Sequence, residues 1–348
     1  MNKFVFSVCL FLFSLTGFAQ GSALLEAEED STISVIAYFS TGDTLVYDFV
    51  HYKQRIKEAD TITTVNVTTR FLVTVTDSTS EGYKMVFVPQ SIEKGETAYS
   101  DGALQMEDLL TIPLGVKCQF STDELGVIQH IDNWMEIRDT LKVNTKKIFD
   151  EVYAQNPGLD SILPRQRMES TFLLRCSSES GILNIYAPLE MMFNLHGAAY
   201  SMKKNRVETK DELGYPAYID IEAYYTVPED DTDNEGDYAI VAETTTDMKG
   251  DDLMDIVGAA VGSLVNDSVV GQLNESLKSD DFAKMQVKGL NHELYTYFYN
   301  GWPKVLVNEK RVGIDGKDAL IDKHVMVWVS LHWNEYVDEE DDGEKQDI

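Results

Sequence analysis

The chain has 348 residues, 43% of them hydrophobic, and carries 29 Lys and Arg against 59 Asp and Glu for a formal net charge of −30. This length and apolar content suit one large globular domain or two medium ones, with ample chain for a core. The negative charge repels phosphate backbones and anionic headgroups; it excludes nucleic acid and acidic membrane surfaces as partners and favours divalent cations or basic partners.

Residues 1–19 read as a cleavable export signal. Lys3 supplies the positive start. Phe4 to Phe13 is apolar, broken only by Ser7 and Cys9, and Gly17 and Ala19 are small residues at −3 and −1 for a cut before Gln20. The apolar run is shorter than the ~20 residues a bilayer crossing takes, and no longer one follows, so no transmembrane segment is expected. Cys9 lies inside the apolar stretch rather than at the cleavage point, which argues against a lipid anchor. The expected location is periplasmic or extracellular. Residues 20–32 read as a polar, mobile leader. Residues 33–337 read as a single α+β domain, and 338–348 as a disordered tail with seven carboxylates.

Within the domain, 33–131 is β-rich. Ile33 to Phe39 and Leu45 to Tyr52 read as strands around the turn Ser40–Asp43. Thr61 to Val75 is a long strand by its Thr, Val and Phe content, and Tyr83 to Pro89 follows a polar turn. After Ile112-Pro113 the spacing predicts a hairpin, Val116 to Ser121 and Val127 to Ile131, around Asp123–Gly126. Residues 133–197 read as helical. Asn133 and Glu136 have the spacing of a capping box, and Trp134, Ile137, Leu141, Ile148 and Val152 fall near one face. Asn156-Pro157-Gly158 ends that helix. Pro164 opens a second, carrying Met168, Phe172 and Leu173, and a third runs from Pro188 to Leu195.

Residues 218–337 are β-rich again, with one helix at 251–265. The expected strands are Tyr218 to Val227, Tyr238 to Thr245, Lys284 to Leu290, Leu294 to Tyr299, Pro303 to Val312 and Lys323 to Trp333. Strands, a helical middle and strands predict α+β: a large curved antiparallel sheet, half-barrel-like, with the helical segment packed on it.

The chemistry-bearing motifs are few. Gly-x-Ser-x-Gly, Cys-x-x-Cys and a Walker loop are absent, so no catalytic residue is nominated. His292-Glu293 opens like a zincin motif, but Thr296 stands where the second histidine belongs. His324 and His332 share a face of one straight strand, yet eight residues at ~3.3 Å each keep them ~26 Å apart. Asp231, Asp233 and Glu235, followed by Gly236, imitate the opening of a calcium loop; Ala242 occupies the position of the closing acid. Calcium is the one cofactor this suggests, against a plain solvated loop. Cys118 and Cys176 can form a disulfide in an oxidising compartment or stay as two thiols. Val325, Val327, Val329, Leu331 and Trp333 make one apolar face of the last strand and Met326 and Trp328 add apolar surface opposite, which predicts cover on both faces. Tyr295, Tyr297 and Tyr299 give its neighbour an aromatic face.

Three elements carry a resemblance: Phe39-Ser-Thr-Gly-Asp43 with Tyr47; Phe120-Ser-Thr-Asp-Glu-Leu-Gly126-Val-Ile128 followed by Asn133-Trp134; and Tyr299-Asn-Gly301-Trp302-Pro303. Together they resemble a group of uncharacterised secreted proteins of Bacteroidota-type bacteria. The resemblance implies a β-rich exported protein, in some members similar to half-barrel carriers of lipids or lipoproteins, with no catalytic residues to carry over. It implies fold roles for Gly126 as a turn, Asn133 as a cap and Trp134 as a core anchor.

The leading expectation is an exported, non-enzymatic binding protein that holds an apolar or amphipathic ligand between sheet and helices, lined by Trp134, Phe193, Tyr297, Met326 and Trp328. The alternatives are a cell-envelope interaction protein without a pocket and a hydrolase using two facing carboxylates.

Overall fold

Alternating burial along two β-rich stretches builds one sheet. A computed structural model describes residues 32–57, 60–97, 114–210, 214–226, 236–249, 285–315 and 317–332. The expected signal, the leader to residue 31, the acidic loop with Asp231, Asp233 and Glu235, the helix at 251–265 and the acidic tail lie outside the described residues.

The first meander comprises β2 (Thr44–Lys57), β3 (Asp60–Thr79), β4 (Gly82–Lys94), β5 (Cys118–Thr122) and β6 (Ile128–Ile131). The second comprises β8 (Asn205–Lys210), β9 (Pro216–Tyr225), β10 (Tyr238–Lys249), β11 (Gln286–Tyr297), β12 (Pro303–Ile314) and β13 (Lys317–His332). All pair antiparallel in the order β6-β5-β4-β3-β2-β13-β12-β11-β10-β9-β8, so the two meanders meet at one seam, β2 against β13. The sheet is curved and does not close, as the α+β reading expects. Two short strands, β1 (Thr32–Ser34) and β7 (Ala199–Ser201), precede the meanders and pair with each other.

Between the meanders lie α1 (Trp134–Gln155), α2 (Arg165–Arg175), α3 (Glu179–Ile185) and α4 (Ala187–Phe193). The buried stripe of α1 is Ile137, Leu141, Thr145 and Phe149; steps of four from Ile137 reach Phe149, and the expected Ile148 and Val152 are only half-buried. Asn133 makes no cap bond with its side chain. Its Oδ1 accepts from the Gln119 amide at 2.9 Å and its Nδ2 donates to the Lys117 carbonyl at 2.9 Å, which ties the helix start to β5. Helix α3, absent from the sequence reading, is capped by Ser178, whose Oγ accepts from the Gly181 amide. Side chains of α3 and α4, including Ile182, Leu189, Met192 and Phe193, pack with Tyr47, Phe71, Phe87, Tyr295, Leu306 and Met326 in one apolar core on a single face of the sheet.

Three strand expectations change. The Ile33 to Phe39 segment pairs as a strand only over Thr32–Ser34. The two strands expected over 284–299 are one continuous strand, β11. On β13 the valine face is not covered: Val327 and Val329 are 38% and 43% exposed, whereas Met326 is fully buried. A bulge between Trp328 and Ser330 then shifts the register, aligning Leu331 with Leu45 and His332 with Thr44. An inserted residue reverses the alternation, so β13 is not the straight strand that the spacing of His324 and His332 assumes. Cys118 and Cys176 are both buried and unbridged. Both lie in the one apolar core, Cys118 near Tyr186 and Cys176 near Arg175 and Lys142, and burial pushes the thiols up to about 12 and about 11.

Residues 35–39 form an extended strap over one end of the sheet. Val35 exchanges backbone hydrogen bonds with Gly197 and Ala198, the Ala37 amide donates to the Leu125 carbonyl and the Tyr38 amide to the Asn300 carbonyl. The strap ends in the Ser40–Asp43 turn. There Asp43 Oδ2 accepts from the Ser40 amide at 2.9 Å and from Trp302 Nε1 at 3.4 Å. The Trp302 indole is fully buried and stacks on Phe39, centroids 4.0 Å apart. Tyr47 donates to the Pro303 carbonyl, and His196 Nε2 donates to the Gly301 carbonyl at 3.1 Å. The three resemblance motifs thus converge in space. All three of their glycines have left-handed backbone, Gly42 at φ 96°, Gly126 at φ 95° and Gly301 at φ 85°. A Cβ on Gly301 would stand 2.3 Å from the Ile36 carbonyl oxygen.

This knot should be the costliest part of the fold to disturb. Trp302→Ala is expected to lose about 3–5 kcal/mol. Gly301→Ala should lose more than the about 1–2 kcal/mol that left-handed φ alone costs, while Gly158→Ala, with open space around it, should stay near neutral. Urea unfolding of the three variants checks the ranking; a Gly301→Ala protein as stable as Gly158→Ala would refute the role of the strap contact.

Candidate functional site

The strands at the seam change character at one level. On the helix-facing side β2 runs Leu45, Tyr47, Phe49 and then His51, Lys53. In the opposite direction β13 presents Met326, then His324 and Asp322; β12 presents Leu306, then Asn308 and Lys310; β11 presents Tyr295, then Glu293 and Asn291. The register aligns these changes. Phe49, Met326, Leu306 and Tyr295 form one row across four strands. His51, His324, Asn308 and Glu293 form the next, and Lys53, Asp322, Lys310 and Asn291 the third. Two polar rows therefore border the apolar core on the same face, since side chains two apart along a strand share a side.

The polar belt is largely buried: Lys53, Asp322, Asn291 and Glu293 are each less than a tenth exposed. At its centre His51 Nε2 lies 2.9 Å from Asp322 Oδ1, and Lys53 Nζ lies 3.4 Å from Oδ2. His324 Nε2 is 4.0 Å from the same Oδ1. The His324 ring is held between Phe49, 5.4 Å away and nearly parallel, and His51 at 4.3 Å. Burial alone would raise the Asp322 carboxyl; the His51 hydrogen bond and the Lys53 charge outweigh it and hold the group well below the usual carboxylate range. Burial, then the facing His51, lowers His324 to about 3, so its imidazole is neutral at physiological pH.

On the next strands Glu293 Oε1 accepts from Tyr295 Oη at 3.0 Å and Asn308 Nδ2 at 2.9 Å. Burial raises this carboxyl; those donors and Lys310 oppose the rise. Three belt atoms lack a hydrogen-bond partner, Lys53 Nζ, Asn291 Oδ1 and Asn308 Oδ1. Unsatisfied buried polar atoms are rare in folded proteins and call for a reason. His292, the other half of the zincin-like dipeptide, is exposed on the opposite side of β11.

The residues nominated to line a ligand are dispersed. Met326 borders the belt directly, one strand position from His324 on the same face. Phe193 and Tyr297 lie in the core around His196, with centroids 5.2 and 5.8 Å from its ring. Trp328 packs edge-on against Phe298, and Trp134 is partly buried at the start of α1 with Arg138 over its ring. Phe193, Tyr297 and Met326 are at most 3% exposed, so they are reached only through the core. Sequence reasoning missed the belt. The available signal was the repeated change from apolar to polar at alternate positions of four strands, which becomes a site only once their register is known.

No known family model matches the chain, and no curated protein sequence matches it. Among solved structures, one described as lipid–protein interactions in lipovitellin aligns with a TM-score of 0.38 and 9% identity, over 85% of this chain and 26% of the other. The chain thus spans about a quarter of that protein's length, and a likeness of this size carries no argument.

One buried and one half-buried imidazole set an acid limit on stability. His196, buried among aromatic rings, is lowered to about 4, and His324 to about 3; an unfolded histidine titrates near 6.5. Below pH ~6.5 the unfolded chain takes up protons that the folded chain refuses, so stability falls as pH drops toward 4. Each histidine contributes up to about 1.4 kcal/mol per pH unit in that window. Urea midpoints at pH 4.5 to 7.5 should show this slope, and His196→Gln and His324→Phe should each flatten it by about one proton.

Proposed function

We propose that this chain is an exported binding protein for an amphipathic ligand, whose polar end meets the belt and whose apolar part lies against the helix-covered side of the sheet. The observation that carries the reading is the double row His51, His324, Asn308, Glu293 and Lys53, Asp322, Lys310, Asn291 beside the apolar row Phe49, Met326, Leu306, Tyr295. A sheet that needs only a core has no use for two lysines, two histidines and two acids on its covered face, because each buried charge costs free energy unless it is paired. The belt keeps them, with Lys53 Nζ ion-paired to Asp322 yet without a hydrogen bond, and two amide oxygens unbonded. A ligand head with both acceptors and donors fits that inventory. Export itself rests on the signal-like residues 1–19 and on the three-element resemblance; among the described residues no helix is long and apolar enough to cross a membrane.

A second reading, an envelope interaction protein that holds no small ligand, draws support from the dense packing of Phe193, Tyr297 and Met326. One experiment separates the two. The full chain is purified without detergent, extracted with chloroform–methanol, and the extract weighed against protein by mass spectrometry. The binding reading expects about one amphiphile per chain, with Lys53→Met reducing occupancy by roughly tenfold, the equivalent of ~1.4 kcal/mol. A clean extract from folded protein, together with no uptake of added fatty acid or lysophospholipid, would leave the interaction reading in its place.

A further inference from the structure

We propose that His51, Asp322 and His324 form a binding site for a divalent transition metal of the zinc class. The three residues come from the two seam strands. His51 and His324 face each other across β2 and β13, and Asp322 is the next residue of β13 on that face. One ligand atom from each, the two imidazole nitrogens and a carboxylate oxygen, lies within 4.8 Å of both others. In a tetrahedral zinc site with bonds near 2.0–2.1 Å, ligand atoms stand about 3.3 Å apart. The 2.9 Å and 4.0 Å separations from Asp322 Oδ1 bracket that spacing, and small ring rotations, soft for imidazole, bring the third into range. Two imidazoles and one carboxylate are a borderline donor set, suited to zinc, iron(II) or nickel and poorly suited to calcium.

The surroundings add a second, independent argument. Lys53 Nζ stands beside Oδ2 and so leaves Oδ1 turned toward the histidines. The Phe49 ring lies nearly parallel to His324 and limits its orientation. Outer groups that fix a carboxylate and a ring in this manner are what metal ligands require around them. Three protein ligands also leave at least one coordination position for water or a bound anion. The competing arrangement is a plain ion pair between Asp322 and Lys53 with His51 as a hydrogen-bond donor. It accounts for Lys53 and His51, but gives no role to the second imidazole at 4.0 Å. The proposal does not depend on the amphipathic-ligand reading and stands or falls without it.

The test uses the full chain, freed of metal by chelation and then dialysed against zinc or cobalt(II). Zinc should bind at one equivalent per chain that survives buffer exchange, and should raise the unfolding midpoint. Cobalt(II) should give the intense visible bands of a four- or five-coordinate site containing nitrogen, whereas carboxylates of the acidic segments would keep it octahedral and nearly colourless. His51→Gln and His324→Phe should each weaken zinc binding by about a hundredfold or more, beyond the range seen for changes to outer groups. Absence of tight zinc from the folded wild-type protein, a colourless cobalt complex, or unchanged affinity in a folded His324→Phe protein would each overturn the proposal. The cobalt spectrum is read on unsubstituted protein, so the result does not hinge on the variants folding.

Discussion

A single buried carboxylate bridges the two halves of this fold at one end. Asp43 Oδ2 accepts one hydrogen bond from the Ser40 amide within its own turn and one from the Trp302 indole, 259 residues away. The first fixes the turn that launches β2; the second fixes the turn that launches β12. Around this pair the indole stacks on Phe39, Tyr47 reaches the Pro303 carbonyl and His196 reaches the Gly301 carbonyl. Two meanders joined along a single seam would otherwise be free to splay. The strap and its carboxylate set their relative position at one end, and the β2–β13 register sets it along the rest. Charge-assisted bonds to a buried carboxylate are strong enough to justify its desolvation, and both of its partners here are neutral donors that keep the anion satisfied.

The same seam carries the polar belt, and the two features have opposite energetic characters. At the knot the polar groups are few: Asp43 and His196 Nε2 are hydrogen-bonded, and His196 Nδ1 alone among these side chains lacks a partner. Along the belt, cations and anions alternate across strands, Lys53 beside Asp322 and Lys310 near Glu293, yet several polar atoms remain unmatched. Natural cores tolerate such a conflict where function requires it. The concentration of charged side chains is what supports placing the proposed site at the middle of the sheet rather than at its tied end, although the tied end holds the most distinctive sequence motifs.

This contrast also explains what the amino-acid sequence disclosed. Turn chemistry is local, so Ser40–Asp43 and Asp123–Gly126 could be recognised directly, and the hairpin β5–β6 follows from the second. The α+β arrangement and the antiparallel sheet were legible for the same reason. Helix α3 was hidden because its cap, Ser178, follows closely on the end of α2 and leaves no apolar run long enough to show a period. The exposure of Val327 and Val329 was hidden because an apolar alternating face looks the same whether it meets a core or solvent. The His51–His324 pair was hidden most completely. Reading along β13 compared His324 with His332, whereas its neighbour lay on β2, and a bulge at Trp328/Ser330 altered the alternation in between.

The seam has a further consequence, for the order in which the molecule can assemble. Its pairing joins residues far apart along the chain, as the His51–Asp322 contact over 271 residues illustrates. A chain emerging from its amino end can form β2 through β6 early, but the outer edge of β2 must wait for β13. Until β13 arrives, that edge presents a long row of unpaired amides and carbonyls, the kind of edge that recruits foreign strands. Contacts of such long sequence separation also slow the final closure. The belt therefore forms only once β13 has paired, and a chain cut short before β13 would lack the belt's His324 and Asp322 while leaving the edge of β2 open.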